Sequence, residues 1–179
     1  LDGVRKLKNL ENKFKERGGY EILGTVLGKD MVGWEYFGPF DELDAQSELG
    51  GYPFVNHKLK ENGINAISCH KVIDGGKDNI GNDVVVSGEG TGIVHIATGC
   101  GSIDNKIGKK NNLVEIAPLD DESKYIESFG WLTGKVATDS KTTELILENL
   151  KEKDLLFYSE KYPLVYPHCW RSGDELVYR

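Results

Sequence analysis

The stretch GTGIVHIATGCGSID, residues 90–104, places a histidine, a cysteine and an aspartate within ten positions of one another. His95 interrupts an apolar run, Ile93-Val94-His95-Ile96-Ala97, and is followed by a glycine-bearing loop that Asp104 closes. An imidazole is the side chain that ordinarily changes charge near neutral pH, so His95 suits proton transfer or orientation of a polar substrate. Cys100 beside it offers a thiol–imidazole pair for nucleophilic attack, although no third orienting group is identifiable. Gly99 and Gly101 let backbone N–H groups approach an anion or a developing oxyanion, and a helix start follows them. Asp104, near that start, reads either as a helix cap or as a carboxylate at a pocket mouth, ready for a cationic group. The plainer readings are a satisfied core histidine, a small cysteine tolerated between glycines, and a cap.

Other residues with ligand or anion chemistry are scattered. Cys69, His70, His168 and Cys169 are potential metal ligands, but CWRS puts Ser172 where a zinc knuckle wants a second cysteine, so no metal site is expected. Gly88, Gly90 and Gly92 precede a strand instead of joining a strand to a helix, which is the wrong setting for a dinucleotide fingerprint. The net charge of −7 argues against wholesale electrostatic binding of nucleic acid, yet leaves room for a local patch. Lys106, Lys109 and Lys110 directly follow the glycine loop and could supply one; a solvated helix face explains them equally well.

The elements that must position these residues are short. At 179 residues, 39% hydrophobic and 28% charged, the chain has the composition of one globular domain, 1–179, able to bury its own core. No apolar run approaches the ~20 residues of a membrane helix. The charged N-terminus lacks the apolar stretch of a signal peptide, and the odd, scattered cysteines imply no disulfide framework, so a cytoplasmic setting is expected. Val4, Leu7, Leu10 and Phe14 recur at helical spacing, predicting a helix within 1–19 that Gly18-Gly19 stops. Short strands are expected at YEIL, TVLG and WEYF (20–37), AISCHKVI (66–73), VVVS (84–87) and LVEIAP (113–118), with GIVHIA (92–97) a buried strand. Helices are expected near 57–62, at 102–111, and over 140–153 with Asp139 or Ser140 as cap. Many short strands with interspersed helices suggest an α+β, mainly β domain around a closed or strongly curled sheet.

The opening motif resembles the editing-site sequence of isoleucyl-tRNA synthetases, a family of class I aminoacyl-tRNA synthetases. That family shows a GTG-x-VH strand, a small-residue loop and an acid nine positions after the histidine; His95 and Asp104 are nine apart. YPHCWRSGDELVYR, 166–179, is similar to the family's segment returning toward the catalytic core, and GWLTGKVATDSKTTELILENLKEKDLL follows its order of a GK-x-V strand and a helix ending in a leucine pair. The likeness covers about residues 20–179. Related valyl and leucyl enzymes lack a histidine at the position of His95. The chain departs from the family's pattern at Thr98, where proline is usual, and at Cys100-Gly101.

What the resemblance implies is specific. The fold would be the closed β-barrel of the editing domain with peripheral helices, and residues 160–179 would lead back to a catalytic core outside this sequence. The reaction would be hydrolysis of the ester joining a wrong amino acid, chiefly valine, to tRNA-Ile. Asp104 would hold the substrate's α-ammonium, His95 would orient the ester or the terminal ribose, and Thr98, Gly99, Cys100 and Gly101 would bind the substrate. Lys106, Lys109 and Lys110 would contact the tRNA acceptor end. No cofactor is expected here, ATP and Mg belonging to the synthetic domain, and the partners would be tRNA-Ile and the remainder of the synthetase. The family's threonine-rich peptide, the other wall of the pocket, would lie ahead of Leu1. Two other functions remain open: a non-catalytic module that docks the tRNA acceptor end, and a small Cys–His hydrolase using Cys100 and His95.

Overall fold

The structure, a computed structural model, describes residues 10–77, 80–86, 91–159, 167–173 and 175–177. It divides into two compact units, one of Leu1–Tyr36 and Lys71–Ile96, the other of Phe37–His70 and Ala97–Arg179.

The first unit is built from local turns. Helix α1, Leu10–Glu16, carries Lys13–Glu16 and Lys15–Glu11 ion pairs at 3.0 and 3.1 Å, and its predicted beginning lies outside the described residues. The single turn α2, Gly28–Met31, falls between two segments read as strands. Gly33 donates to the Val72 carbonyl and Val72 to that of Trp34, both at 2.8 Å, next to an antiparallel bridge between Glu35 and Lys71. A second bridge, Lys77 with Asp83, is reinforced by their 2.8 Å ion pair. No apolar side chain described here is fully buried, and some stay in solvent: Leu23 is 90% exposed and Ile80 83%.

The second unit holds every buried apolar side chain found among the described residues. Its one-turn helix α3, Asp44–Ser47, and the 3-10 turn Gly130–Leu132 bring Leu43, Ala45, Phe129 and Leu132 together, with Tyr52, Tyr125 and Ile146 packed around them. Helix α4, His57–Glu61, starts where the Asn56 side chain accepts the Leu59 N–H, and so delivers Leu59 to a second cluster with Ala66 and Val114. Ile116 touches both clusters. Helix α5 is Ser102–Lys110 and helix α6 is Ser140–Glu152, the latter capped by Asp139, whose carboxylate accepts the Lys141 N–H at 2.9 Å. After α6, Lys153 donates to the Pro39 carbonyl at 2.7 Å, pairs with Glu42 and lies 5.0 Å over the Phe40 ring. Those contacts fasten the 39–42 loop to the end of the helix.

The expected closed β-barrel is overturned. Among the described residues no strand forms; pairing is confined to isolated bridges. The reason is visible in the backbone. Tyr52 pairs in parallel with Ile116, donating to the Glu115 carbonyl and accepting from Ala117, both at 2.9 Å. On its N-terminal side that pairing cannot lengthen, because Gly51, at φ +106°, turns the chain away. Around the Leu119–Tyr125 and Lys124–Val136 bridges the chain takes left-handed values at Ser123, Ser128 and Gly134, and each interrupts extension after a residue or two. A barrel needs continuous ladders that close without an edge. GIVHIA is also not a buried strand: Ile93 is 60% and Val94 49% exposed, and His95 is exposed with them.

Candidate functional site

The glycine loop and α5 form one fastened piece of the second unit. The Cys100 N–H donates to the Ala97 carbonyl at 2.9 Å, closing a turn, and the first helical bond runs from the Asn105 N–H to the Gly101 carbonyl at 2.8 Å. Gly101 therefore occupies the cap position, and no side chain caps the helix. Asp104 is its third residue, not its cap. The Asp104 carboxylate reaches back through Oδ2 to accept the Ala97 N–H at 3.0 Å, latching the start of the loop to the first turn, where the helix dipole favours negative charge. Among the described residues its Oδ1 has no hydrogen-bond partner.

Segment 113–117 supports the loop from the other side. Thr98 Oγ1 donates to the Val114 carbonyl at 2.7 Å. Asn105 Nδ2 donates both to the Thr98 carbonyl at 2.9 Å and to Glu115 Oε2 at 2.8 Å. Gly99 is buried, and a Cβ there would strike the Ile116 carbonyl, so only glycine fits between loop and segment. Gly108, buried one turn from the helix end, has the Thr98 side chain where a Cβ would stand. Residues 97–101 are thus held by the Asp104 carboxylate, the Asn105 amide, neighbouring carbonyls and the close packing of Gly99, while the N–H groups of Thr98, Gly99 and Gly101 make no hydrogen bond to any described residue.

The predicted site residues fall into three groups. Thr98, Gly99, Cys100, Gly101 and Asp104 are gathered in this loop and first turn. Lys106, Lys109 and Lys110 lie along α5 at positions i, i+3 and i+4, all exposed, and none pairs with an acid among the described residues. His95 belongs to the first unit and is exposed. The Cys100 residue is exposed overall, but desolvation of its thiol and then the charge of Asp104 push its pKa up. A nucleophilic cysteine needs the opposite shift. Tyr125 is pushed up as well, by burial and then by the proximity of Cys100. Among the described residues no three His, Cys, Asp or Glu side chains gather to hold a metal. His70 Nδ1 instead lies 3.2 Å from Asp41 Oδ1, and His168 Nδ1 lies 2.9 Å from the Gly173 carbonyl. None of the described helices is long and apolar enough to cross a membrane.

Sequence reasoning missed Asn105 and Glu115. An amide next to an acid in the first turn of a helix, and a glutamate in an apolar segment, carry no spacing signal; their meaning appears only when 98, 105 and 115 meet.

No family profile matches the chain. Individual proteins do. It is 36% identical over 177 residues to the isoleucine–tRNA ligase of Methanocaldococcus jannaschii, covering 98% of this chain and 15% of that protein. It is 34% identical over 173 residues to that of Aquifex pyrophilus, covering 95% of this chain and 29% of the relative. With isoleucine–tRNA ligase 2 of Bacillus anthracis the identity is 36% over 159 residues, 89% of this chain and 12% of the relative. Likeness over nearly the whole chain marks a segment of an aminoacyl-tRNA ligase. The chain belongs to the isoleucine–tRNA ligase family and spans about 15% of the length of relatives such as the M. jannaschii enzyme.

Proposed function

We propose that this segment edits: it hydrolyses the ester between a wrong amino acid, chiefly valine, and the terminal adenosine of tRNA-Ile. Water adds to the ester carbonyl, the carbonyl–oxygen bond breaks, and free valine and the ribose hydroxyl result. Such a second site answers a physical limit. One missing methylene is worth only about 1–3 kcal/mol in an apolar pocket, and isoleucyl enzymes facing valine are the standard illustration of that limit.

The observation that carries the reading is the state of Asp104. One carboxylate oxygen is committed to the Ala97 N–H, which fixes its direction, while the other has no partner among the described residues. A carboxylate so held is preorganised for a cation, and the α-ammonium is the cation common to all aminoacyl esters. The N–H groups of Gly99 and Gly101, without a partner among the described residues, are donors of the type that meets an oxyanion; that of Cys100 is already spent on its turn. Lys106, Lys109 and Lys110 offer a cationic helix face to the phosphates of the tRNA acceptor end. His95 takes its orienting role from the family resemblance. The remainder of the synthetase is the expected covalent partner. The raised thiol of Cys100 speaks against the Cys–His hydrolase.

The test is deacylation of valyl-tRNA-Ile by the full-length protein, with isoleucyl-tRNA-Ile as the control ester. Preferential release of valine supports the proposal. Equal, background-level loss of both esters overturns it.

A further inference from the structure

Among the described residues Asn105 joins three parts of the loop piece: it sits in the first turn of α5, and its amide touches both the loop and the supporting segment. Its two partners are the Thr98 carbonyl, 2.9 Å away, and Glu115 Oε2, 2.8 Å away. The Thr98 carbonyl and the Glu115 carboxylate both accept, so the amide nitrogen, with two hydrogens, is the atom that faces them. One of these bonds ends on a carboxylate and is the stronger type. Glu115 is in turn anchored through its backbone, whose carbonyl accepts the Tyr52 N–H at 2.9 Å. The chain of contacts runs from the bridge at Tyr52, through Glu115 and Asn105, to the carbonyl of Thr98. That carbonyl belongs to the peptide unit whose N–H is that of Gly99. Fixing the Thr98 oxygen fixes the plane of the peptide, and with it the direction of the Gly99 N–H, which makes no hydrogen bond to any described residue.

We propose that Asn105, braced by Glu115, is the positioning residue of this loop: its amide sets the orientation of the Thr98–Gly99 peptide and so aims the Gly99 N–H. The proposal rests on the hydrolytic reading for its consequence in catalysis, while its structural half stands on the hydrogen bonds alone. Asn105 touches neither ester nor water. It acts through the loop, so its loss lowers the rate at saturating ester more than it weakens binding.

The experiment uses the full-length protein and valyl-tRNA-Ile, with Asn105→Ala, Asn105→Asp, Glu115→Ala and Glu115→Gln. Asn105→Ala and Glu115→Ala are expected to lower kcat about 10- to 100-fold, the scale of a misplaced catalytic group, with KM within about two-fold of wild type. Asn105→Asp, which sets a second carboxylate against Glu115 and the Thr98 oxygen, falls at least as far. Glu115→Gln keeps an acceptor for the amide and is expected to hold kcat within about three-fold of wild type, a rescue that a general loss of folding would not produce. Cys100 supplies a second readout that needs no hydrolysis, since it sits one residue beyond Gly99. Iodoacetamide labels it several-fold faster in Asn105→Ala than in wild type as the loop loosens, and at the wild-type rate in Glu115→Gln. If wild type does not hydrolyse the ester, the hydrolytic reading falls and the labelling rates alone decide the positioning claim. Unchanged kcat and unchanged labelling in Asn105→Ala overturn it; so does a kcat in Glu115→Gln as low as in Glu115→Ala.

Discussion

Replacing Asp104 by asparagine and by alanine separates two jobs that one carboxylate can do. In the structure Asp104 Oδ2 accepts the Ala97 N–H at 3.0 Å, which is a structural latch. In the proposed reaction the same group holds an ammonium. Asparagine keeps an acceptor of nearly the same shape and loses the charge. Alanine loses both. A hydrogen bond to a charged acceptor contributes about 1.5–3 kcal/mol and a neutral one about 0.5–1.5 kcal/mol. The latch alone therefore predicts that Asp104→Asn destabilises by about 1 kcal/mol and Asp104→Ala by about 1.5–3 kcal/mol, read from urea midpoints at constant slope. The charge adds a separate expectation. An ion pair at ~4 Å and an effective dielectric near ~20 gains about 4 kcal/mol before desolvation is subtracted. Asp104 is half-buried, so a net 1.4–2.8 kcal/mol, roughly a ten- to hundred-fold change in kcat/KM, is the estimate for the reaction. Both variants then lose valyl-tRNA deacylation to a similar degree while differing in stability. Deacylation at the wild-type rate in Asp104→Asn, with loss only in Asp104→Ala, would refute the ammonium assignment and leave Asp104 a latch.

Gly99→Ala places a methyl group against the Ile116 carbonyl, where backbone must yield; a loss of about 2–3 kcal/mol is expected, a fall in Tm of roughly 4–12 °C, against little change for Gly24→Ala, whose surroundings are open. Equal midpoints for the two variants would contradict the packing. The rate of Cys100 alkylation against pH is expected to turn upward above the range of an ordinary exposed thiol. A raised folded value means that the neutral thiol is the favoured native form. The stability it lends is present below the unfolded thiol pKa and is lost as pH rises through the folded one. Rapid labelling at pH 7 would contradict this and restore the thiol nucleophile. Changing Lys106, Lys109 and Lys110 together to alanine should leave stability within about 0.5 kcal/mol. The same change should flatten the salt dependence of tRNA binding by roughly 0.7–0.9 for each phosphate that a lysine no longer neutralises. An unchanged slope would show that the face is merely solvated.

Helices were legible where periodicity and capping agreed. Of the two caps offered for the helix over 140–153, Asp139 is the one that heads Ser140–Glu152, and α5 matches the turns expected after the glycine loop. Strands were not legible, because β-branched composition describes a surface that suits a sheet without supplying a partner. TVLG and WEYF, with β-branched and aromatic residues, lie on either side of the helical turn Gly28–Met31; Trp34 accepts one bond from Val72, whose carbonyl takes the Gly33 N–H, and Gly33, at φ +92°, diverts the chain. The sequence presented Asp104 as a cap or as a free acid, and neither is complete: it is the third helical residue and latches backwards onto Ala97. That choice depended on Gly101 taking the cap position without a side chain, which spacing does not reveal.

The reactive letters of the motif are also not its most constrained ones. Cys100 has the chemistry that first draws attention, yet its thiol is pushed toward the protonated form and its N–H only closes a turn. Gly99 and Thr98 have little chemistry of their own, but the first cannot carry a Cβ and the second is held at both its hydroxyl and its carbonyl. Their neighbours in the supporting segment are backbone atoms of Val114, Ile116 and Ala117, so that part of the support is nearly independent of which side chains line the segment; Glu115, whose carboxylate holds Asn105, is the exception. A loop held in this way keeps its peptide planes fixed before any ester arrives, and fixed dipoles are what stabilise charge that appears only in the transition state. Chemistry in such a site resides less in a nucleophile than in donors that cannot reorient, which is why the small residues between His95 and Asp104, and the amide of Asn105 beyond them, are where substitution should be felt first.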